Sequence, residues 1–463
     1  MKLDDLYQRA PVPVQNIFAS AYGLKELPRR HGGQFRREVF DLDVRQWWTQ
    51  EELEVDQNAR LVSMVTWCAH RVPHYRDMFS DLGINPRDIR TAADLAQLPL
   101  LDKETVRADP DRFLPEQPQP KLIAQTTGGT TGTPVRYWAT LAGVRANYAT
   151  YEARCRSWAG VRLGQRMASF HGQPIIPESQ AGGPYWRRNL AFNQLYFSVY
   201  HLNSLNLPAY LNQLEQFRPQ VIAGYTSAVH RIARGLIDSG DIGRVRPTAV
   251  LVSSETLTPA VREDMQLAFG CRVTNAYSLG ELVAFISECD HGELHISTEY
   301  GIIELLDSAD SLGSEIIATG LINKGMPLLR YRTGDLAVRT DPGHSSCGRG
   351  LPRVAEIIGR VDDVVRTPEG ATVGPAPMSL AFQRVPHLRR AQVRQDSLDA
   401  LTVLLEVDSL FSHQDEEFLI GELRKRLGPS IRLFIEQVPT VPRTSGGKER
   451  LVVSSLGQQR GPL

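Results

Sequence analysis

Apolar positions recur at helical spacing through the first hundred residues. In EELEVDQNARLVSMVTWCAHRV, the positions Leu53, Ala59, Leu61, Val65 and Ala69 fall roughly on one face, which predicts an amphipathic helix. Prolines then punctuate VPHYRDMF, INPRD and LPLLDKETV, predicting turns that lead into short helices. From about Lys121 to Arg360 the period changes. PQVIAGYTSAVHRIARGLID runs from an apolar stretch through Gly224 into an amphipathic segment. TAVLVSSETLTPAVREDMQLAFG repeats that arrangement, with Thr258 before Pro259 marking a helix start and Gly270 its end. CRVTNAYSLGELV opens another strand, and YGIIELLD and SEIIATGLI read as later ones. Strands alternating with helices predict α/β layers. After GRVDDVV, paired strands in QVRQDSLDALTVLLEVD, a helix in QDEEFLIGELRKRLG and a strand in IRLFIEQV predict a small separate unit.

Composition narrows the function classes. A chain of 463 residues allows roughly two to four domains. Lys and Arg total 52 and Asp and Glu total 52, a balance that argues against nucleic acid as the main partner. No apolar run approaches a membrane span, so no membrane association is expected. MKLDDLYQRAPVPVQ is acidic early and lacks an apolar core, unlike a secretory leader. The five cysteines, Cys68, Cys155, Cys271, Cys289 and Cys347, are odd in number and scattered, unlike a disulfide framework. A cytoplasmic protein is the expectation.

Chemistry first shows in IAQTTGGTTGTPVRYW, which lies between two strand-like segments. Glycines let successive backbone N–H groups form a concave anion site, and threonine hydroxyls add donors. Thr126, Thr127, Gly128, Gly129, Thr130, Thr131 and Gly132 are the candidates, against the plainer reading of a structural hairpin loop. The stretch is no Walker loop: it lacks the Lys-Ser/Thr ending, and PVRYWAT reads as strand. A lysine for a nucleotide must come from elsewhere. In NAYSLGEL, Tyr277 can cover an adenine ring and Glu281 can hold Mg²⁺ against phosphate oxygens. The plainer reading is a core tyrosine and a solvated glutamate. Asp335 in LLRYRTGDL can accept two ribose hydroxyls or cap a turn. Arg360, Asp362 and Asp363 in IIGRVDDVV are linker charges or a hinge. Lys448 in VPRTSGGKERLVV is either an exposed loop lysine or the absent cation.

In order and spacing these segments resemble the adenylate-forming superfamily, and within it the branch of phenylacetate–CoA ligases and capsule-biosynthesis adenylating proteins. The resemblance covers nearly the whole chain; RVPHYRDMFSDLGINPRDIRTAADLAQLPLLDKETVR is similar to that branch's lead-in ahead of TTGGTTGTP. It implies an α/β fold with a large multi-layer N-terminal adenylation domain, residues 1–361, and a small mobile α+β C-terminal lid domain, residues 362–463, carrying Lys448. The large domain would comprise a helical lead-in, 1–120, and a nucleotide- and acid-binding core, 121–361. By the same resemblance, TTGGTTGTP embraces the ATP phosphates, and Ser254, Glu255, Ala276, Tyr277 and Ser278 occupy adenine-pocket positions. Glu281 takes the Mg²⁺ position, Asp335 and Arg360 the ribose contacts, Asp362 the hinge, and Lys448 the lysine of the adenylation step.

The implied activity is ATP-dependent activation of a carboxylic acid, aryl or aryl-alkanoic, as an acyl-adenylate. Transfer to coenzyme A follows, with an amine or a carrier protein as the alternative acceptor. A homodimer is open to such a protein. A nucleotide-binding regulator without catalysis is a rival reading, and the retained Lys448 and Glu281 argue against it. Phe170 and His171 in SFHGQPIIP and Tyr196 and Phe197 in NQLYFSVYHLN are expected walls for the acid, with core packing the alternative for each.

Two departures stand out. Gly280 occupies a position where relatives carry Thr or Ser, and VVRTPEGATVGP is more similar to the capsule-type members, which leaves the acceptor open. Cys289 and His295 in ECDHGELH, with His344 and Cys347 in HSSCGR, would make a structural Cys₂His₂ zinc site, against two buried cysteines and solvent-facing histidines.

Overall fold

The computed structural model describes residues 3–116, 121–126, 136–177, 180–307, 312–341, 343, 345–360, 363–368, 370, 372–383, 385–444 and 446–456. Thr127 to Gly132 of the threonine–glycine loop, His344 and Asp362 lie outside the described residues, and Thr126 is described by its backbone alone.

The lead-in is helical, and its longest helix is Gln50–Arg71. Thr49 starts it: the hydroxyl accepts the Glu52 N–H, and the Glu52 carboxylate accepts the Thr49 N–H, a cap worth about 1 kcal/mol. The buried face is Leu53, Leu61, Met64, Val65 and Cys68, whereas Ala59 is exposed. Ala59 stands six residues from Leu53 and so falls on the other side of a helix of 3.6 residues per turn. This face packs with Tyr75, Phe79 and Ile89 against Val283, Ile302 and Tyr331, which cores the lead-in into the body.

Twelve described strands form one mixed sheet. Five of them run parallel in the middle: Gln194–Phe197, Met167–Phe170, Val221–Tyr225, Ala249–Ser253 and Arg272–Ser278. Val221–Tyr225 and Ala249–Ser253 are buried at their first four positions, as strands covered on both faces must be. The helices Leu207–Phe217, Thr226–Asp238 and Pro259–Phe269 pack on Ile222, Val250 and Val252. Thr258 caps the last of these, its hydroxyl accepting the Val261 N–H, and Gly270 ends it at φ 63°.

Antiparallel strands extend the sheet from Phe285–Glu288 out to Gly301–Asp307 at one edge. At the other edge lies Trp186–Asn189, with the helix Val12–His31 alongside. Asn16 Oδ1 accepts the Arg188 N–H at 2.8 Å, and the Ser20 hydroxyl accepts the Leu190 N–H at 3.1 Å while donating to the Arg188 carbonyl at 3.4 Å.

A separate hairpin, Leu122–Thr126 with Arg136–Thr140, pairs Thr126 with Arg136 and so brings the ends of the threonine–glycine loop together. Beyond Arg360 the chain has its own core. The strands Leu388–Ser397, Ala400–Val407, Arg432–Gln437 and Val452–Ser454 form a four-stranded sheet. Val393, Val403 and Leu405 from this sheet bury with Leu419 and Leu423 of the helix His413–Leu427.

Candidate active site

Strand ends deliver the side chains of the site. Tyr277 is next to last in the strand Arg272–Ser278, and Glu281 follows in the next turn. Asp335 and Arg360 sit opposite each other in register on neighbouring antiparallel strands. Gly334, at φ 72°, is where Arg360 folds over: a Cβ there would lie 3.1 Å from Arg360 Nη2. Ser254, Glu255, Ala276, Tyr277, Ser278, Glu281, Asp335, Arg360 and Lys448 all line one cavity of about 1110 Å³.

Inside it, Tyr277 donates to Asp335 Oδ2 at 2.8 Å, and Arg360 Nη1 stands 3.8 Å from Asp335 Oδ1. Burial and the adjacent Asp335 carboxylate push the Tyr277 phenol upward, so it stays a donor. Glu281 is 7% exposed and accepts the Tyr331 hydroxyl at 3.2 Å. Lys448 Nζ lies 5.6 Å from the Tyr225 ring centre. Burial lowers its pKa, opposed by the charges of Glu255 and Asp335. Glu255 accepts N–H groups from Ser227 at 2.6 Å and Glu449 at 2.8 Å.

Lys103 also lines the cavity, and no motif in the sequence marked it. It follows Leu101, which is stitched to the strand Tyr331–Arg339 by hydrogen bonds to the Arg330 carbonyl at 3.0 Å and from the Arg332 N–H at 2.9 Å. Burial lowers its pKa, and the carboxylate of Glu281 opposes that shift. A lysine leading a helix just after LPLL was the available signal, but the bridge that places it is long-range.

Gly280 has a steric reason. A Cβ there would sit 3.0 Å from the Tyr137 hydroxyl, which donates to Gln125 at 2.7 Å across the hairpin. The position thus trades a hydroxyl for close approach of the strand that carries the threonine–glycine loop.

The expected acid-binding walls are not gathered on this cavity. Phe170 and Phe197 stack at 4.7 Å between ring centres inside the core, because alternation on the parallel strands turns both toward the covering helices. Tyr196 faces the opposite side, its hydroxyl accepting from Asn189 at 3.4 Å. His171 packs edge-on to Tyr225 at 5.8 Å; burial and nearby Lys448 push its pKa down to about 4.

A second cluster lies where the hairpin of Phe285–Glu288 and Leu294–Ile296 meets the segment before Arg353. One donor atom from each of Cys289, Glu293, His295 and Cys347 falls within 4.8 Å of the others. His295 Nδ1 is 3.2 Å from the Leu351 carbonyl, which makes it the protonated nitrogen and leaves Nε2 as a lone-pair donor 3.3 Å from Cys347 Sγ. Burial holds His295 at about 4. Against the upward pull of burial, the Ser345 hydroxyl, the Ser346 N–H and Arg353 keep Glu293 at about 2. Cys289, His295 and Cys347 meet as the sequence led one to expect; among the described residues the fourth donor is Glu293, with His344 outside them. A neutral imidazole, a carboxylate and two thiols at this spacing fit a tetrahedral zinc.

A family model described as the CapK C-terminal domain matches residues 365–455. Protein CapK of Staphylococcus aureus is 29% identical over 459 residues, covering 98% of this chain and all of that one. A phenylacetate-coenzyme A ligase of Thermus thermophilus is 25% identical over 449 residues, covering 87% of this chain and 97% of the relative. Among solved structures, 2-hydroxyisobutyryl-CoA ligase in the postadenylation state, in complex with R3-HIB-AMP, superposes with a TM-score of 0.69 at 16% identity, covering 89% of this chain and 92% of that one. That last likeness is one of fold.

Proposed function

We propose, from the premise that the chain belongs to the adenylate-forming superfamily in its phenylacetate–CoA ligase and CapK branch, that it is an AMP-forming acid ligase. A carboxylate oxygen attacks the α-phosphorus of ATP, and the bond to pyrophosphate breaks. The acyl-adenylate so formed is then attacked at its carbonyl by the thiol of coenzyme A, and AMP leaves. The observation that supports this is convergence: Tyr277, Glu281, Asp335 and Arg360 from one unit and Lys448 from the other share one cavity.

Each group has a task suited to its chemistry. Tyr277 lies against the base, with Ala276, Ser278 and Ser254 beside it. Asp335, oriented by Tyr277 and Arg360, accepts the ribose hydroxyls. Lys448 and Lys103 face the charge that gathers on the transferring phosphoryl group and pyrophosphate. Glu281 would hold Mg²⁺, which neutralises phosphate charge when bound. The threonine–glycine loop, whose ends meet at Thr126 and Arg136, wraps the phosphates. Residues 362–463 act as a lid that turns about Asp362 between the two steps.

The acid is sought among aryl, aryl-alkanoic and aliphatic acids, since Phe170 and Phe197 are committed to the core. The match of residues 365–455 to the CapK domain keeps an amine or carrier-protein acceptor as the second reading. The test is acid-dependent pyrophosphate release across such a panel, with each acceptor class supplied in turn. Lys448→Ala should lose pyrophosphate release by about a hundredfold or more while transferring a supplied acyl-adenylate at the wild-type rate. Release at the wild-type rate in that variant would remove Lys448 from the chemistry.

Cys289, Glu293, His295 and Cys347 hold a structural zinc in this reading; four protein ligands leave no open catalytic position.

A further inference from the structure

Glu255 follows the strand Ala249–Ser253 and a left-handed Ser254 at φ 71°. That turn carries its carboxylate to the start of the helix Thr226–Asp238. There Oε2 accepts the Ser227 N–H at 2.6 Å, and Oε1 accepts the Ser227 hydroxyl at 3.1 Å. A carboxylate at a helix N-terminus is also favoured by the helix dipole. Both bonds lie within the large unit, so the carboxylate is already aimed before the small unit arrives. Oε1 then accepts one more donor, the N–H of Glu449 at 2.8 Å. Glu449 is the residue after Lys448.

The segment that carries Lys448 is stiff enough to transmit this contact. Arg443 and Glu449 are bridged, the Lys448 N–H donates to the Thr444 hydroxyl at 3.1 Å, and the Thr444 N–H donates to the Lys448 carbonyl at 2.9 Å. Fixing the Glu449 N–H therefore fixes the base of the Lys448 side chain. Other ties cross the interface beside it. Arg231 makes a two-pronged pair with Glu406 at 3.1 Å, Arg390 donates to the Ser227 carbonyl at 3.3 Å, and Arg443 donates to the Leu202 carbonyl at 3.1 Å. Arg390 and Arg443 also pair with the Glu449 carboxylate and so hold that residue by its side chain, whereas the Glu255 bond holds the backbone N–H that follows the lysine.

We propose that Glu255 is the positioning residue for Lys448: a large-unit carboxylate that holds the neighbouring N–H during acyl-adenylate formation and lets it go when the lid turns. The assignment rests on the adenylate-forming reading. It differs from the adenine-pocket role that the sequence implied for Glu255, because both carboxylate oxygens are engaged by Ser227 and Glu449.

Two variants and two readouts test it. Glu255→Ala should lower the rate of pyrophosphate release at saturating ATP by about a hundredfold, the scale expected when a reacting group is misplaced by roughly 1 Å. The KM for ATP should stay within about twofold, and transfer from a supplied acyl-adenylate should keep the wild-type rate. Glu255→Gln keeps one oxygen for the Glu449 N–H but turns its amide NH₂ toward the Ser227 N–H, and should recover part of the loss. Independently of any acid, hydrogen exchange in the peptide spanning Lys448 and Glu449 should quicken in the alanine variant and clearly less in the glutamine variant. A rise in KM for ATP without loss of rate would return Glu255 to the adenine pocket and overturn the proposal. Equal loss of both half-reactions in a folded variant, or unchanged exchange, would overturn it as well. If the wild type released pyrophosphate with no acid, the adenylate-forming reading would fail, while the exchange measurement would still decide the Glu255–Glu449 contact.

Discussion

At the scale of single residues, two lysines face the same carboxylates from different units, and they should fail differently. Lys448 belongs to the C-terminal unit, whereas Lys103 is anchored through Leu101 to the strand that carries Asp335. If its charge serves the β- and γ-phosphates, Lys103→Ala should weaken ATP binding by about tenfold or more and leave AMP affinity unchanged. Isothermal titration with each nucleotide checks this; equal loss for both would make Lys103 a structural residue. Tyr277, Glu281, Asp335, Arg360 and Lys448, which line one cavity, could be singled out in the sequence because each sits in a short polar stretch beside an apolar run. Lys103 could not, because its placement depends on a bridge to Tyr331 some two hundred and thirty positions away. That Phe170 and Phe197 lie in the core was hidden for a related reason: a sequence shows that a strand alternates, but not which of its faces meets the cavity. Glu293 escaped notice beside the more familiar ligand His344, and folding the hairpin back is what brings it level with Cys347.

Elements add constraints that no side chain shows alone. Gly172 lies just past the strand Met167–Phe170, and a Cβ there would come within 2.0 Å of the Gly446 carbonyl and 2.7 Å of the Tyr225 hydroxyl. The Lys448 loop can reach the cavity only because this position has no side chain. Gly172→Ala should therefore depress pyrophosphate release by at least about tenfold and leave acyl transfer from supplied adenylate nearly intact. Single-turnover assays of the two steps measure this, and equal rates of both would show that the loop can seat elsewhere. The metal-ligating hairpin makes a different prediction. Cys289 packs with Leu53, Trp158 and Leu351, so a zinc there would tie the lead-in helix to the sheet. Elemental analysis should find about one zinc per chain, and Cys347→Ser should lower the melting temperature more than it lowers ATP affinity. Protein free of metal after purification without chelator would sink the site. Most strands and helices of this layer were readable from period and punctuation, with Thr258 and Gly270 bounding their helix as expected. The order of strands in the sheet was not, because neighbours such as Arg353–Arg360 and Leu294–Ile296 are joined by contacts rather than by sequence.

Across the whole molecule, buried titratable groups set how stability responds to pH. Burial, with Arg156 and Arg30 close by, holds His31 at about 4, and burial beside Lys448 does the same to His171, against an ordinary value of 6.5. Between these values the unfolded chain binds protons that the folded chain refuses, so stability is full above 6.5 and is lost as pH falls toward 4. Glu255 works in the opposite sense. Burial raises it to about 7, so the folded chain binds its proton first and stability falls as pH rises from 4.5 to 7. With His295, also held at about 4, three histidines outweigh one glutamate when the shifts are similar. The melting temperature should thus fall between about pH 7 and pH 5, and fall more steeply in Glu255→Gln, which removes the opposing group. A flat profile in the variant would show that the histidines titrate freely.

The contact between the helix Val12–His31 and the strand Trp186–Asn189 has a consequence for self-association. An outermost strand offers unpaired N–H and C=O groups to any other extended chain, which is how native sheets seed aggregates. Here Asn16 and Ser20 occupy the N–H and carbonyl of Arg188 and the N–H of Leu190 with side chains instead of a further strand. The lead-in thereby acts as a built-in stopper, ending the sheet at twelve described strands. Shortening the chain from its start would open that edge, and the first symptom would be precipitation of folded protein, before any loss of chemistry at the distant cavity.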